Sequence, residues 1–117
     1  MADINLNGIN TQYITLKKKA DTSFNVGDFI TITSNFEACP IKANSDIVGK
    51  CVNIRNDIAT IQISGFMTAV LGDTESINRG YGSYGIDTNG KLVSLEGARK
   101  ILVIGFDNAT STVSFLL

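Results

Sequence analysis

The chain has 117 residues, of which 44% are hydrophobic and 18% are charged, and its formal net charge is −1. This composition predicts one globular domain that buries roughly two-thirds of its unfolded surface, without the basic excess typical of duplex-binding proteins. Histidine is absent, which removes the commonest general base and metal ligand. No apolar run approaches the roughly 20 residues that span a bilayer, and the N-terminus has no secretory signal pattern, so we expect no membrane association.

Residues 1–12 are predicted to form an extended N-terminal arm ahead of a β-domain at residues 13–117. The arm is rich in asparagine, poor in charge, and carries three apolar side chains, Ile4, Leu6 and Ile9. So short a segment cannot bury these side chains on its own. The arm is therefore expected either to fray or to lie on another surface.

The domain begins with segments that alternate between apolar and polar residues, as half-buried strands do. After a first strand ending in Lys17–Lys19, the turn signal at Asn25–Asp28 starts a second strand, FITIT. A short piece around Pro40 follows, and proline predicts an edge or a bend there because it cannot donate to a central ladder.

A central hairpin is predicted at Val48–Arg55 and Ile58–Gly65, turning at Asn56–Asp57, a pair that tolerates the positive φ of a type I′ turn. Strict alternation from that turn sorts the side chains into two faces. The predicted core face is Val48, Val52, Ile54, Ala59, Ile61 and Ile63, with Val52 opposite Ile61 and Lys50 opposite Ile63; the predicted wet face is Cys51, Asn53, Arg55, Thr60, Gln62 and Ser64.

The second half begins with a segment, Gly72–Gly85, that contains four glycines and is predicted to be irregular. Asn89–Gly90 then predicts a tight hairpin turn. A closing hairpin is expected around a loop at Asn108–Ser111. Strict alternation places one face of that hairpin at Leu102, Ile104, Phe106, Val113, Phe115 and Leu117, with Ile104 opposite Phe115 and Leu102 opposite Leu117.

Both faces of the closing hairpin are largely apolar, so both must be covered. The whole pattern amounts to eight or nine strands with no recognisable internal repeat. It predicts an all-β fold, a single small β-barrel or sandwich of short antiparallel strands and hairpins.

The chain offers little chemistry for catalysis. Its acidic residues cluster at predicted turns, where Asp side chains accept nearby backbone N–H groups. Cys39 and Cys51 are too few for a zinc site, which needs about four ligands, and we expect reduced thiols, with a disulfide as the alternative. No activated serine motif occurs. We expect no enzyme, no metal and no cofactor.

Two segments are candidates for binding. Lys17–Lys19 is interpreted as a solvated strand end, with contact to an acidic partner or to nucleic acid as alternatives. The segment Arg79–Gly85 combines an arginine with Tyr81 and Tyr84. Its tyrosines are expected to pack on the rim of the domain; contact with a protein, or stacking on nucleic acid bases, is the alternative.

Three stretches in order along the chain carry a resemblance to a known family. They are VGDFITI at residues 26–32, the run from Phe36 to Phe66 with its central hairpin, and KILVIGFDNATSTVSFLL at residues 100–117. This order resembles the small capsid decoration proteins of tailed bacteriophages and prophages. Residues 68–82 depart from the family pattern because they lack a proline-bearing loop.

The resemblance implies a non-enzymatic structural protein of the virion. It would be made in the bacterial cytoplasm, bind the major capsid protein on the outside of the shell, and stabilise the capsid, often as a homotrimer, without binding nucleic acid. The residues expected to contact the capsid or a neighbouring copy are Ile4, Leu6, Ile9, Arg79, Tyr81 and Tyr84. The alternatives are a head-completion, neck or tail-tube protein, and a cellular β-barrel module that binds peptides or single-stranded nucleic acid.

Overall fold

The structure, a computed structural model, describes residues 11–72 and 77–117. In this part of the chain every regular element is a β-strand, which confirms the all-β prediction. No helix capable of crossing a membrane occurs among the described residues. The predicted contact residues Ile4, Leu6 and Ile9 lie outside the described ranges.

Five strands from the first half of the chain close into a barrel, called here the first barrel, in the order β1-β3-β2-β5-β6. Its interior is formed by seven buried residues. The strands are β1 (Gln12–Lys18), β2 (Phe29–Ser34), β3 (Glu37–Pro40), β5 (Gly49–Arg55) and β6 (Ile58–Ser64). The core residues are Leu16, Phe24, Ile30, Ala38, Cys51, Ala59 and Ile61.

The second half forms a sheet in the order β10-β11-β7-β9-β8-β4, and an additional pairing of β10 with β8 closes β7 to β11 into a ring. We call this ring the second barrel. Its strands are β7 (Phe66–Leu71), β8 (Gly80–Ile86), β9 (Lys91–Ser94), β10 (Lys100–Asp107) and β11 (Thr112–Leu116), and the short β4 (Ser45–Asp46) adds to β8.

The two barrels share one pairing scheme. The five strands of each barrel are counted here in chain order, so β1, β2, β3, β5 and β6 of the first barrel correspond to β7, β8, β9, β10 and β11 of the second. In both barrels the first strand pairs parallel with the third and antiparallel with the fifth. The second strand pairs antiparallel with the third and the fourth, and the fourth pairs antiparallel with the fifth. The parallel pairings β1–β3 and β7–β9 depart from the predicted antiparallel arrangement. The structure therefore contains one architecture built twice, which the sequence did not reveal.

The duplication extends to individual hydrogen bonds. The Lys18 N–H donates to the Asp57 carbonyl at 2.7 Å in the first barrel, and the Leu71 N–H donates to the Ser111 carbonyl at 2.9 Å in the second. Both bonds join the first strand to the last turn residue before the fifth strand. Positions in one barrel can therefore be matched to positions in the other.

The central hairpin has its turn and first pairs where the sequence predicts them, with Arg55 opposite Ile58. The register then shifts at a β-bulge, so Cys51 and not Val52 lies opposite Ile61. Cys51 is consequently 1% exposed and Val52 37% exposed. The core prediction is confirmed for Ile61 and wrong for Val52, because the extra residue of a bulge reverses the alternation beyond it.

The closing hairpin repeats this behaviour. Its loop and the pairing of Asp107 with Thr112 are as predicted, but a bulge then places Val103 opposite Phe115. Val103 is buried, whereas Ile104 is 40% exposed. The prediction that Ile104 faces the core is therefore wrong, for the same physical reason as in the central hairpin. Leu102 pairs with Leu116, not with the predicted Leu117.

The central turn also differs in type. Only Asn56 has a left-handed φ, +56°, whereas a type I′ turn needs positive φ at both central residues. The Asn-Gly signal further along is confirmed, since Gly90 has φ +78° in the tight turn between β8 and β9.

Residues 80–85 of the glycine-rich segment belong to strand β8, so the prediction of an irregular loop is wrong for this part of the segment. Two of its glycines stand where neighbouring atoms approach closely. A Cβ on Gly82 would lie 2.7 Å from the ring of Tyr84, and one on Gly85 would lie 2.5 Å from the carbonyl oxygen of Ser45 on β4. These glycines make room for packing and pairing, so their presence does not signal a break in the sheet.

Candidate interaction surface

Three aspartate carboxylates of the described residues accept backbone N–H groups in turns. Asp28 accepts the Asn25 N–H at 2.8 Å, and Asp107 accepts the Ala109 N–H at 2.9 Å. Asp87 accepts two backbone N–H groups of the β8–β9 turn. Among the residues that the structure describes, no group of three or more possible ligands could hold a metal ion. The predicted turn role is confirmed for these three aspartates.

A cleft of about 450 Å³ lies between the two barrels. Its lining includes Asp28, Asp87 and Lys50, the only charged side chains among its lining residues. The carboxylates already accept backbone N–H groups of their own turns. The Lys50 ammonium is likewise committed, because it donates to the carbonyl oxygen of Thr68 at 2.8 Å. The charged groups of the cleft thus take part in contacts of the fold itself.

Both cysteines are free, buried thiols on strands of the first barrel, and Cys51 belongs to its core. Burial raises the pKa of the Cys51 thiol, and the negative charge of Asp28 raises it further. Cys39 lies 3.3 Å from the hydroxyl oxygen of Thr33. Both thiols are buried and are not exposed nucleophiles.

The basic run at the end of β1 forms no flat patch. Lys18 lies over the ring of Phe24 at 5.3 Å from the centroid, while the Lys19 ammonium reaches the Thr33 hydroxyl at 3.3 Å. The Lys17 side chain is exposed. The three lysines therefore have different surroundings, as expected of a strand end whose side chains point both ways.

The predicted contact residues on β8 and just before it are of two kinds, exposed and buried. Arg79 is exposed, and its guanidinium lies 4.7 Å from the centroid of the Phe106 ring. Tyr81 is 77% exposed. Tyr84 is 5% exposed and belongs to the second core, and its hydroxyl accepts the Asn78 N–H at 3.0 Å. Tyr84 therefore has a structural role and cannot serve as a surface contact, whereas Arg79 and Tyr81 can.

Tyr81 stands at the end of a line of four side chains that crosses the outer face of the second barrel. Successive cross-strand partners in this line share one face of the sheet. The four residues, called here the apolar row, are Tyr81, Leu102, Leu116 and Phe66. Beside the row lies a shallow cavity of about 230 Å³ to which Leu117 contributes. Leu102, Leu116 and Phe66 are half-buried.

The same four positions of the first barrel form a second line, called here the junction row. Its members are Phe29, Lys50, Gln62 and Tyr13. Three of its members, Phe29, Lys50 and Gln62, contact the second barrel, whereas Tyr13 is 56% exposed. Phe29 packs into the second core, and the Gln62 side-chain amide donates to the Phe66 carbonyl at 3.0 Å. Burial of Lys50 at the junction lowers the pKa of its ammonium.

One exposed aromatic residue was missed from the sequence. Phe36, in the turn between β2 and β3, is 82% exposed and has φ +61°. The corresponding residue of the second barrel is Gly90, since Glu37 and Lys91 pair equivalently with β1 and β7. A bulky residue with left-handed φ is strained, and such strain is concentrated at functional positions. The available signal was a phenylalanine in a turn where glycine or asparagine is usual.

Comparisons with protein-family models, with curated proteins and with solved structures find no match for this chain.

Proposed function

We propose that this protein is a non-enzymatic decoration protein of a tailed-bacteriophage capsid, which binds the major capsid protein on the outside of the shell and stabilises it as a homotrimer. The observation that carries the proposal is the ordered resemblance at residues 26–32, 36–66 and 100–117. These stretches contribute strands to both barrels, so the resemblance is not confined to one hairpin.

The surface chemistry of the described residues supports a binding role. Phe36 and Tyr81, at 82% and 77% exposure, are the most exposed of the large hydrophobic residues. Exposed aromatic residues are typical anchors of protein interfaces. A shell presents the same site many times, so modest contacts at each site add up to stabilisation through multivalency.

The N-terminal arm completes the proposed contact. Ile4, Leu6 and Ile9 would lie against the shell, and Arg79 and Tyr81 would contact the shell or a neighbouring copy. The described chain enters β1 at Gln12, opposite Ser64, so the arm is attached next to the junction between the barrels.

The test is binding of purified protein to undecorated capsids, followed by heating. The full-length protein should co-sediment with the capsids and raise the temperature at which they break. A chain lacking Met1–Ile9 should lose most of this binding while its own melting temperature stays unchanged. Full-length protein that neither binds nor protects capsids would refute the proposal.

Phe36→Gly provides a second variant in which a folding defect cannot mimic the loss of binding. Glycine relieves the left-handed backbone, so the barrel should become more stable while capsid binding weakens. The matched control is Ile32→Ser, which removes an apolar side chain of 42% exposure from the adjacent strand β2. Copy number in purified virions separates the decoration role, with many copies over the shell, from a neck or tail role with a single ring.

A further inference from the structure

Strand β1 has a partner on both of its edges for only part of its length. From Tyr13 to Leu16 its ladder partners all lie on β6. In the described chain β3 joins the opposite edge only beside Lys17 and Lys18. The β3 side of β1 from Tyr13 to Leu16, called here the open edge, therefore has no strand paired with it among residues 11–72 and 77–117.

The backbone groups on the open edge belong to Tyr13 and Thr15. The N–H groups of Lys17 and Lys19 donate to carbonyls of β3 and of the turn before it, at 3.2 and 2.9 Å, whereas the Lys18 N–H donates on the β6 side at 2.7 Å. Successive residues of a strand direct their backbone groups to alternate edges, so Thr15 and Tyr13 share the direction of Lys17. Both of their side chains are exposed. In the described chain, their N–H and carbonyl groups thus face the side on which a further strand could add.

The equivalent edge of the second barrel is occupied. Thr68 of β7 matches Thr15 of β1, because the two strands pair equivalently with β11 and β6. The Thr68 carbonyl accepts a hydrogen bond from the Lys50 ammonium at 2.8 Å, and the Gln62 amide donates to the Phe66 carbonyl at 3.0 Å. The first barrel therefore supplies donors to the edge of β7, whereas the described chain places no donor on the Thr15 carbonyl.

The residues of the open edge lack the usual protection against strand addition. Natural edge strands commonly carry charges, proline or a bulge, which prevent pairing with another chain. The run from Tyr13 to Leu16, YITL, contains no charge and no proline, and the bulge of this ladder falls earlier, between Gln12 and Tyr13. The lysines of β1 stand at its other end, where β3 begins to pair. The uncharged part of β1 is therefore the part that is left unpaired.

We propose that the open edge receives an extended segment of the major capsid protein, which adds as a strand beside Tyr13 and Thr15. This inference rests on the proposed function, because it names the part of the chain that the shell engages. In strand addition the main-chain hydrogen bonds supply affinity, and the alternate side chains of the added segment supply specificity.

The position of the open edge within the chain favours the shell as the source of that segment. The N-terminal arm, which is proposed to lie on the shell, leads directly into β1. Phe36, 82% exposed, stands at the other end of the open edge, where its carbonyl accepts the Lys17 N–H. The arm, the open edge and Phe36 therefore follow one another, and a segment on the open edge continues the contact that the arm begins.

Thr15→Pro blocks the open edge with the least damage to the barrel. Proline lacks the N–H that an added strand needs, and a strand tolerates it where that N–H points away from the existing ladder. Thr15→Val is the matched control, because it keeps the backbone N–H and the branched shape of the side chain. Melting curves establish that both variants are folded. Binding of the two variants and of the wild-type protein to undecorated capsids is then measured by co-sedimentation over a range of concentrations.

We expect Thr15→Val to bind capsids as the wild-type protein does, and Thr15→Pro to bind about tenfold more weakly. Equal binding of Thr15→Pro and the wild-type protein would overturn this inference and leave the proposed function standing. A wild-type protein that does not bind capsids would overturn both. If Thr15→Pro abolishes self-association of the protein but not capsid binding, the open edge belongs to a second copy and the inference is wrong.

Hydrogen exchange of the wild-type protein tests the open edge without any substitution. In the free protein the amides of Tyr13 and Thr15 should exchange much faster than those of Ile14 and Leu16, whose backbone groups face β6. Exchange of the peptide that contains β1 should slow when the protein is bound to capsids. A protected Thr15 amide in the free protein, or unchanged exchange of this peptide on the capsid, would contradict the inference.

Discussion

The two barrels have the same strand order but differ in how their cores are filled. Among the described residues, the first core contains seven buried residues, all of them from the first barrel and its loops. The second core contains thirteen such residues, of which Phe29 and Ile47 come from the first half of the chain. The second barrel is therefore completed by the first, while the first core receives no buried residue from the described part of the second half. We therefore expect the stability of the second barrel to depend on the first barrel, and the stability of the first barrel to be independent of the second.

Removal of Phe115–Leu117 should have the largest effect on this arrangement. Phe115 is fully buried in the second core and pairs with both Val103 and Met67, so its loss opens the barrel at β11. We expect insoluble or unfolded protein. Removal of Met1–Ile9 should leave a folded protein, because an arm of that composition is predicted to add little to the domain. Equal melting temperatures of the two truncated chains would refute this asymmetry.

Phe29→Ala tests the direction of dependence. Phe29 lies on β2 of the first barrel but packs into the second core, and loss of a buried phenylalanine costs about 3–5 kcal/mol. Hydrogen exchange should show faster opening of β7 and β8 than of β1 and β6. Faster opening of the first barrel would contradict the direction of dependence that its core composition indicates.

Ile61→Ala gives the converse perturbation. Ile61 is fully buried in the first core, and its truncation should cost about 2–5 kcal/mol in the free energy of unfolding. Because the second barrel relies on the first, both barrels should open faster in hydrogen exchange. Val52→Ala is the matched control on the opposite strand, and its 37% exposure predicts a much smaller cost. A loss below about half a kcal/mol for Ile61→Ala would mean that the assigned face is inverted.

The two hairpins show how far alternation could carry the sequence analysis. Turn residues fix the first pairs of a hairpin, and both turns were located correctly. After the three residue pairs next to the turn, the first strand of each hairpin has two adjacent apolar residues. These are Cys51 and Val52 in the central hairpin, and Val103 and Ile104 in the closing hairpin. Either member of such a pair can face the core, so the sequence pattern does not determine where the bulge falls. Packing against the rest of the barrel decides it.

The interaction surface was harder to predict than the strands. Tyr81 was identified from its glycine-rich setting, but the same reasoning placed Tyr84 on the surface, because alternation within β8 was not recognised. The apolar row needs partners from four strands, and only the fold brings them together. The duplication was hidden because equivalent positions carry unlike residues, such as Gln62 against Leu116.

Substitutions in the turn between the second and third strands of each barrel should have the smallest effect on stability, and they can be made at equivalent positions of the two barrels. Phe36 and Gly90 stand at equivalent positions with φ +61° and +78°, a conformation that costs a bulky residue about 1–3 kcal/mol. Phe36→Gly should therefore raise the free energy of unfolding by about 1 kcal/mol, after the greater chain entropy of glycine offsets part of the relief. Gly90→Phe should lower it by a similar or larger amount, since the backbone there has a left-handed φ and a Cβ would meet no neighbouring atom within 4 Å that could offset the strain. Urea unfolding of the two variants measures both effects. If Phe36→Gly is destabilising, the packing of the phenylalanine ring outweighs the backbone strain at residue 36. The strain would then give no support to a binding role for the exposed ring.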